Sequence, residues 1–206
     1  LRSYNMFEEQ GPSANRWRAF TDGLSELDCE ILVIITSGYK SIQEKYRFGK
    51  EGFFNSKIKY IYSSRQNHYS YWLTRLNVYV LSRLHLINNY LVVKTQLNSF
   101  KPDILFLSPT LDVFHLIKRF FKGNNFTAKL VMDMTEFNDV GDRYATNRAQ
   151  MIQRNRYNRL LKTIIFQKLD MCIVITDILE DYYSKFPGVN PKMNFIKIPM
   201  IVDFDR

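Results

Sequence analysis

No run of about eighteen apolar residues occurs in this 206-residue chain; its greasiest stretch, 72–97, is broken by Arg75, Arg83, Asn88, Asn89 and Lys94. A membrane-spanning helix is therefore not expected. Cysteine is scarce too: Cys29 and Cys172 are the only two, too few for a disulfide framework. The opening Leu1-Arg2-Ser3-Tyr4 lacks the apolar core and cleavage site of a signal peptide. These absences predict a reducing, cytoplasmic setting. Both cysteines occur in apolar, strand-like surroundings without a nearby His or second Cys, which predicts buried hydrophobes and neither ligands nor nucleophiles. The three histidines, His68, His85 and His115, have no metal-ligand spacing, so no metal is expected. There is no Gly-x-Ser-x-Gly elbow, no Ser-His-Asp arrangement, no three-glycine dinucleotide fingerprint and no Walker lysine. Serine hydrolases, nicotinamide enzymes and P-loop ATPases are left without support.

Acidic residues are missing in two long stretches. Residues 52–102 contain no Asp or Glu but carry Lys57, Lys59, Arg65, Arg75, Arg83, Lys94 and Lys101; residues 143–168 contain none either and carry Arg148, Arg154, Arg156, Arg159 and Lys162. With a net charge of +9, such fields attract anions: nucleotides, phosphorylated substrates, anionic lipid or nucleic acid. Solvated helix faces explain the same charges without a ligand.

What is present is a repeating pattern of short β-branched runs followed by helix-period segments. The runs predict strands over 30–35, 58–62, 104–107, 129–132, 171–175 and 195–198, each too apolar for a strand with one wet face. Residues 1–4 read as the end of an earlier strand. Helices are predicted over 15–27, with Trp17, Phe20, Leu24 and Leu27 on one face, and over 69–100, 112–121, 146–169 and 178–185. Asp177 and Glu180 read as a capping box for the last, which stops before Pro187-Gly188. Residues 37–54 read as an irregular insertion. Parallel strands need long crossovers, and the helices supply them. The predicted fold is an α/β, Rossmann-like, doubly wound and mostly parallel sheet with helices on both faces. Residues 1–198 form one domain in this reading, and 199–206 begin a linker to a further domain of about 150 residues.

Ligands of such sheets bind beyond the carboxyl ends of the strands. The segments at those ends are polar: Gly11 to Arg16, Thr36-Ser37-Gly38, Ser63-Ser64-Arg65, Ser108-Pro109-Thr110, Asp133-Met134-Thr135-Glu136 and Thr176-Asp177. Turns and caps account for much of this. Two clusters offer more. Gly11, Ser13 and Asn15 let backbone approach an anion, and Arg16 adds a bidentate fork for phosphate. Asp133 and Glu136 follow the apolar Leu130-Val131-Met132, where a carboxylate can grip a sugar hydroxyl.

The order of these pieces resembles the N-terminal half of a GT-B-fold retaining glycosyltransferase of the group that builds bacterial polysaccharides and glycolipids. The resemblance is carried by the small-residue loop Gly11 to Arg16, by Lys101-Pro102-Asp103-Ile104-Leu105-Phe106, by the strand running from Lys129 to Glu136, and by Met171 to Thr176 with Ile196 to Asp203. Where members of that group carry a histidine after the fifth strand, this chain has Asp133-Met134-Thr135-Glu136, and Met200-Ile201 stands where Asn-Gly is common. The resemblance implies an acceptor-binding domain for transfer of a sugar from a nucleotide-sugar donor to a saccharide or lipid-linked acceptor, with retention and with no cofactor or metal. Its catalytic residues would be Asp133 and Glu136. Its substrate-binding residues would be Gly11, Ser13, Asn15, Arg16, Ser108, Thr110 and Thr176. The basic stretches would then rest on an anionic membrane surface at the cytoplasmic face, with no nucleic acid as partner. A basic polyanion or nucleic-acid-binding module and a sugar-phosphate epimerase-like domain are the competing readings.

Overall fold

The computed structural model describes residues 1–2, 6, 12–36, 42–63, 82–123, 127–137 and 148–199. The chain divides into two compact units, Leu1–Lys101 and Pro102–Val202. Gly11, the first part of the helix predicted over 69–100, and the segment 200–206 lie outside the described residues.

In the first unit, α1 (Pro12–Glu26) precedes β1 (Ile31–Ile35), α2 (Ile42–Phe48), β2 (Glu51–Asn55), β3 (Ile58–Tyr62) and α3 (Ser82–Phe100). The sheet order is β1-β3-β2, with β1 and β3 parallel and β2 antiparallel to β3. Arg2 adds a parallel bridge to Ile35, its N–H donating to the Ile34 carbonyl at 3.0 Å and its carbonyl accepting from Thr36 at 2.8 Å. This is the described part of the strand predicted over 1–4.

Three sequence expectations change here. Residues 37–54 are not an irregular insertion throughout, since α2 and β2 occupy 42–48 and 51–55. A hairpin is possible because the Asn55 side chain accepts from the N–H groups of Lys57 and Ile58, at 3.0 and 2.9 Å, closing an Asx turn. A side chain at Gly52 would displace Tyr60, because a Cβ there would lie 2.5 Å from the Tyr60 hydroxyl, which donates to the Phe48 carbonyl. Secondly, Leu24 and Leu27 are exposed while Ala14 and Trp17 are buried. α1 ends at Glu26, and Asp28 in the left-handed region, φ 62°, turns the chain away before β1. Thirdly, that turn leaves Cys29 exposed; it precedes the strand whose apolar run predicts its burial.

The described part of α3 is not apolar all round. Asn89, Val93 and Leu97 are buried at four-residue spacing, while Ile87 and Leu91 are exposed, so the helix has one packed face. It closes with Lys101 at φ 48°, whose N–H donates to the Leu97 carbonyl at 2.8 Å. Pro102 then starts the second unit.

That unit runs β4 (Ile104–Leu107), α4 (Leu111–Gly123), β5 (Lys129–Met134), α5 (Arg148–Leu160), β6 (Met171–Val174), α6 (Asp177–Ser184) and β7 (Asn194–Lys197). All neighbouring strands are parallel in the order β4-β5-β6-β7. Leu107 is level with Met132, and Met132 with Cys172. β5 is buried from Leu130 to Met134, as a central strand with both faces covered should be. Buried with it are Val113, Phe114, Leu116, Ile117 and Phe120 of α4, Leu179 and Tyr183 of α6, and Leu160 at the end of α5. α5 continues through a π-helical turn, Leu161–Ile165, into a closing α turn, Phe166–Lys168. Phe166, Tyr183 and Phe186 form an aromatic cluster with ring separations of 5.4 Å.

The start of α6 also differs from expectation. Thr176, and not Asp177, is the N-cap: it is extended at φ −144°, and its hydroxyl accepts from the Leu179 N–H at 3.3 Å. Asp177 is then the first helical residue, and Glu180 stands one place too far along for a capping box. The structure is thus an α/β fold containing a four-stranded parallel sheet. Among the described residues, no helix is long and apolar enough to cross a membrane.

Candidate functional site

The two ends of the parallel sheet use their polar residues differently. At the amino end, Asp170 accepts from the Leu130 N–H at 2.9 Å and pairs with Lys129 at 3.2 Å, while its carbonyl takes the Asn194 N–H at 3.0 Å. Asn190 donates to the Leu169 carbonyl at 2.8 Å. These groups hold backbone ends together and are accounted for by the fold.

At the carboxyl end lie five of the sequence-predicted residues. Ser108 and Asp133 are buried, at 7% and 4% exposure. They each come one residue after the level pair Leu107 and Met132, so adjacent strands bring both to the same edge. Asp133 is level with Ile173, one residue past Cys172. Burial, and then the nearby Asp133 carboxylate, push the Cys172 thiol well above its ordinary range. Thr110 opens α4, its carbonyl accepting from Phe114 at 3.0 Å. Its N–H donates to the Ser108 carbonyl at 2.8 Å, which folds the β4–α4 connection into a tight turn. Thr176 comes after β6, but its hydroxyl is occupied in capping α6. Glu136 is exposed two residues beyond β5. The Tyr183 hydroxyl donates to the Glu136 carbonyl at 2.6 Å, tying the segment after β5 to α6.

Such an edge can bind hydroxyl groups. A buried carboxylate one strand from a buried serine is a strong acceptor in a low-dielectric setting, and the exposed Glu136 adds a second carboxylate from the solvent side. Nearby, an open groove of about 520 Å³ is lined by Phe137, Lys162, Ile178, Tyr182, Lys185 and Phe186, among others. The Lys162 ammonium lies 4.7 Å from the centre of the Phe186 ring, and Phe137 meets Tyr182 edge-on at 4.9 Å. The sequence offered no signal for this groove, since the π turn that carries Lys162 has no composition of its own. Among the described residues, no group of three or more His, Cys, Asp or Glu side chains is placed to hold a metal.

The remaining predicted residues belong to the first unit. Ser13 and Asn15 are exposed on α1, and Arg16 is 3% exposed with its guanidinium 4.9 Å from the Phe20 ring centre. Gly11 lies outside the described residues. The same unit buries polar groups at the carboxyl ends of β1 and β3: Thr36, Ser63, Asn89 and Glu44. Asn89 donates to the Thr36 carbonyl at 3.0 Å, and Tyr62 donates to Glu44 at 2.6 Å. Glu44 falls in the segment that reads as an irregular insertion and Asn89 reads only as a break in an apolar stretch; the partners that bury them come from distant parts of the sequence.

Comparison with known proteins finds no protein-family model, no curated protein and no solved structure that matches this chain.

Proposed function

We propose that this chain is the acceptor-binding part of a glycosyltransferase that moves a sugar from a nucleotide-sugar donor to a saccharide or lipid-linked acceptor with retention. The observation that carries the reading is Asp133, a carboxylate 4% exposed near the carboxyl end of a central parallel strand. In an open parallel sheet that edge is where ligands bind. A carboxylate at that end can accept a hydrogen bond from a sugar hydroxyl. The finer architecture that goes with the proposal is a Rossmann-like, doubly wound sheet forming one half of a GT-B fold.

In this mechanism Asp133 accepts a hydrogen bond from the acceptor hydroxyl and orients its oxygen toward the donor sugar, with Ser108 as a neighbouring polar contact. Glu136 holds a second hydroxyl from the exposed side. The departing nucleoside diphosphate gains negative charge in the transition state, and cationic side chains and helix N-termini can stabilise that charge. Orientation by Asp133 acts in the transition state, so its loss falls on turnover.

The test is acceptor-dependent release of nucleoside diphosphate by the full-length protein against a panel of nucleotide sugars. Asp133→Asn keeps the shape but removes the charge, and is expected to lower turnover about 100-fold. Transfer that is undiminished in Asp133→Asn would overturn the assignment.

A further inference from the structure

A second surface of the second unit has a different chemistry. On α5, Arg148, Ile152, Arg156 and Arg159 recur at helical spacing and share one face, with Met151 beside them. All five are exposed, Met151 at 39% and Ile152 at 43%. The other side of the helix is packed: the Tyr157 ring lies 5.0 Å from Phe114 of α4, and Leu160 is buried. No acidic residue occurs anywhere in 143–168. α4 extends the field, because Lys118, Arg119 and Arg156 all lie close enough to act on His115.

A face that merely keeps the protein dissolved does not need exposed Met and Ile within its row of arginines. Nor does a single phosphate fit, since Arg148 to Arg159 span roughly 16 Å at 1.5 Å per residue. An extended anionic surface matches the spread of charge, and an interface that accepts apolar side chains matches Met151 and Ile152. A nucleic acid would satisfy only the first. We infer that the exposed face of α5, flanked by Lys118 and Arg119 of α4, docks on an anionic lipid bilayer, the arginines on the headgroups and Met151 with Ile152 in the headgroup–acyl boundary. This inference stands on charge and exposure alone and is independent of the transferase reading.

Co-sedimentation of the whole chain with vesicles tests it without any nucleotide sugar. Vesicles of phosphatidylcholine with about a third phosphatidylglycerol are compared with pure phosphatidylcholine at physiological salt. Binding to the anionic vesicles alone is expected. Replacing Arg148, Arg156 and Arg159 together by Gln should lower the partition coefficient about 100-fold, from about fivefold per charge. Met151→Ser with Ile152→Ser should lower it separately, with the charges intact. All five residues are exposed, so melting temperatures are expected to stay within a few degrees of the parent. Equal binding to both vesicles, or none, would overturn the inference. So would binding to the anionic vesicles that the Met151/Ile152 change leaves untouched, since that pattern belongs to a nonspecific polyanion site, and a single-stranded polynucleotide would then compete with the vesicles.

Discussion

At the scale of single residues, environment decides chemistry where residue type does not. The two cysteines look alike in sequence, both beside apolar neighbours. Cys172 lies on a central strand with its thiol pushed up by burial and Asp133, whereas Cys29 is exposed after the left-handed Asp28. Because the thiolate is the reactive form, a maleimide or disulfide reagent should label one thiol, Cys29, in the folded protein and both after denaturation. Rapid native labelling of Cys172 would contradict its placement in β6. His115 makes a second residue-level prediction. Burial is the larger cause and the cations Lys118, Arg156 and Arg119 the next, and together they hold its pKa below the ordinary 6.5 despite Asp112. The unfolded chain then takes up this proton before the folded one, so the contribution of His115 to stability is complete above pH 6.5 and declines as pH falls through the depressed value. Denaturant unfolding at stepped pH, compared with His115→Gln, checks this; a variant with the same acid sensitivity as the parent would remove His115 as a source.

At the scale of elements, strands buried on both faces were legible and their borders nearly so. β3 and β4 coincide with their predicted spans, and β5 and β6 differ by two residues or fewer at one end. Continuous β-branched runs leave little ambiguity. β2 was missed because it is an exposed edge strand of Gly, Phe and Asn, whose hairpin depends on the Asn55 side chain and on contact between Gly52 and Tyr60. Neither is visible without the partner strand. The cap of α6 was misplaced by one residue because Thr176 and Asp177 are both good cap formers, and only backbone geometry separates them. Thr176→Ala should therefore destabilise the protein by about 1 kcal/mol, while Asp177→Ala should leave the cap hydrogen bond in place. Asp177 also pairs with Lys197, so the cap assignment is judged on Thr176→Ala alone: an unchanged melting temperature in that variant would reverse it.

At the scale of the whole molecule, alternating strands and helices predicted an α/β fold, and the second unit has that form, with four parallel strands joined through helices. Among the described residues the strand pairings fall into two sets, β1-β3-β2 and β4-β5-β6-β7, and the strand expected over 1–4 is described only where Arg2 bridges Ile35. The candidate site was legible in part. Ser108, Asp133 and Glu136 stand out as polar residues directly after apolar strand runs, whereas the Tyr183 tether, the groove beside α6 and the buried Asn89 depend on long-range packing. Turnover by the full-length protein and its Asp133→Asn variant, measured as acceptor-dependent nucleoside diphosphate release with folding matched by circular dichroism, tests the central claim most directly. The account predicts transfer by the parent and about a 100-fold loss in the variant; equal turnover in the two proteins would contradict it.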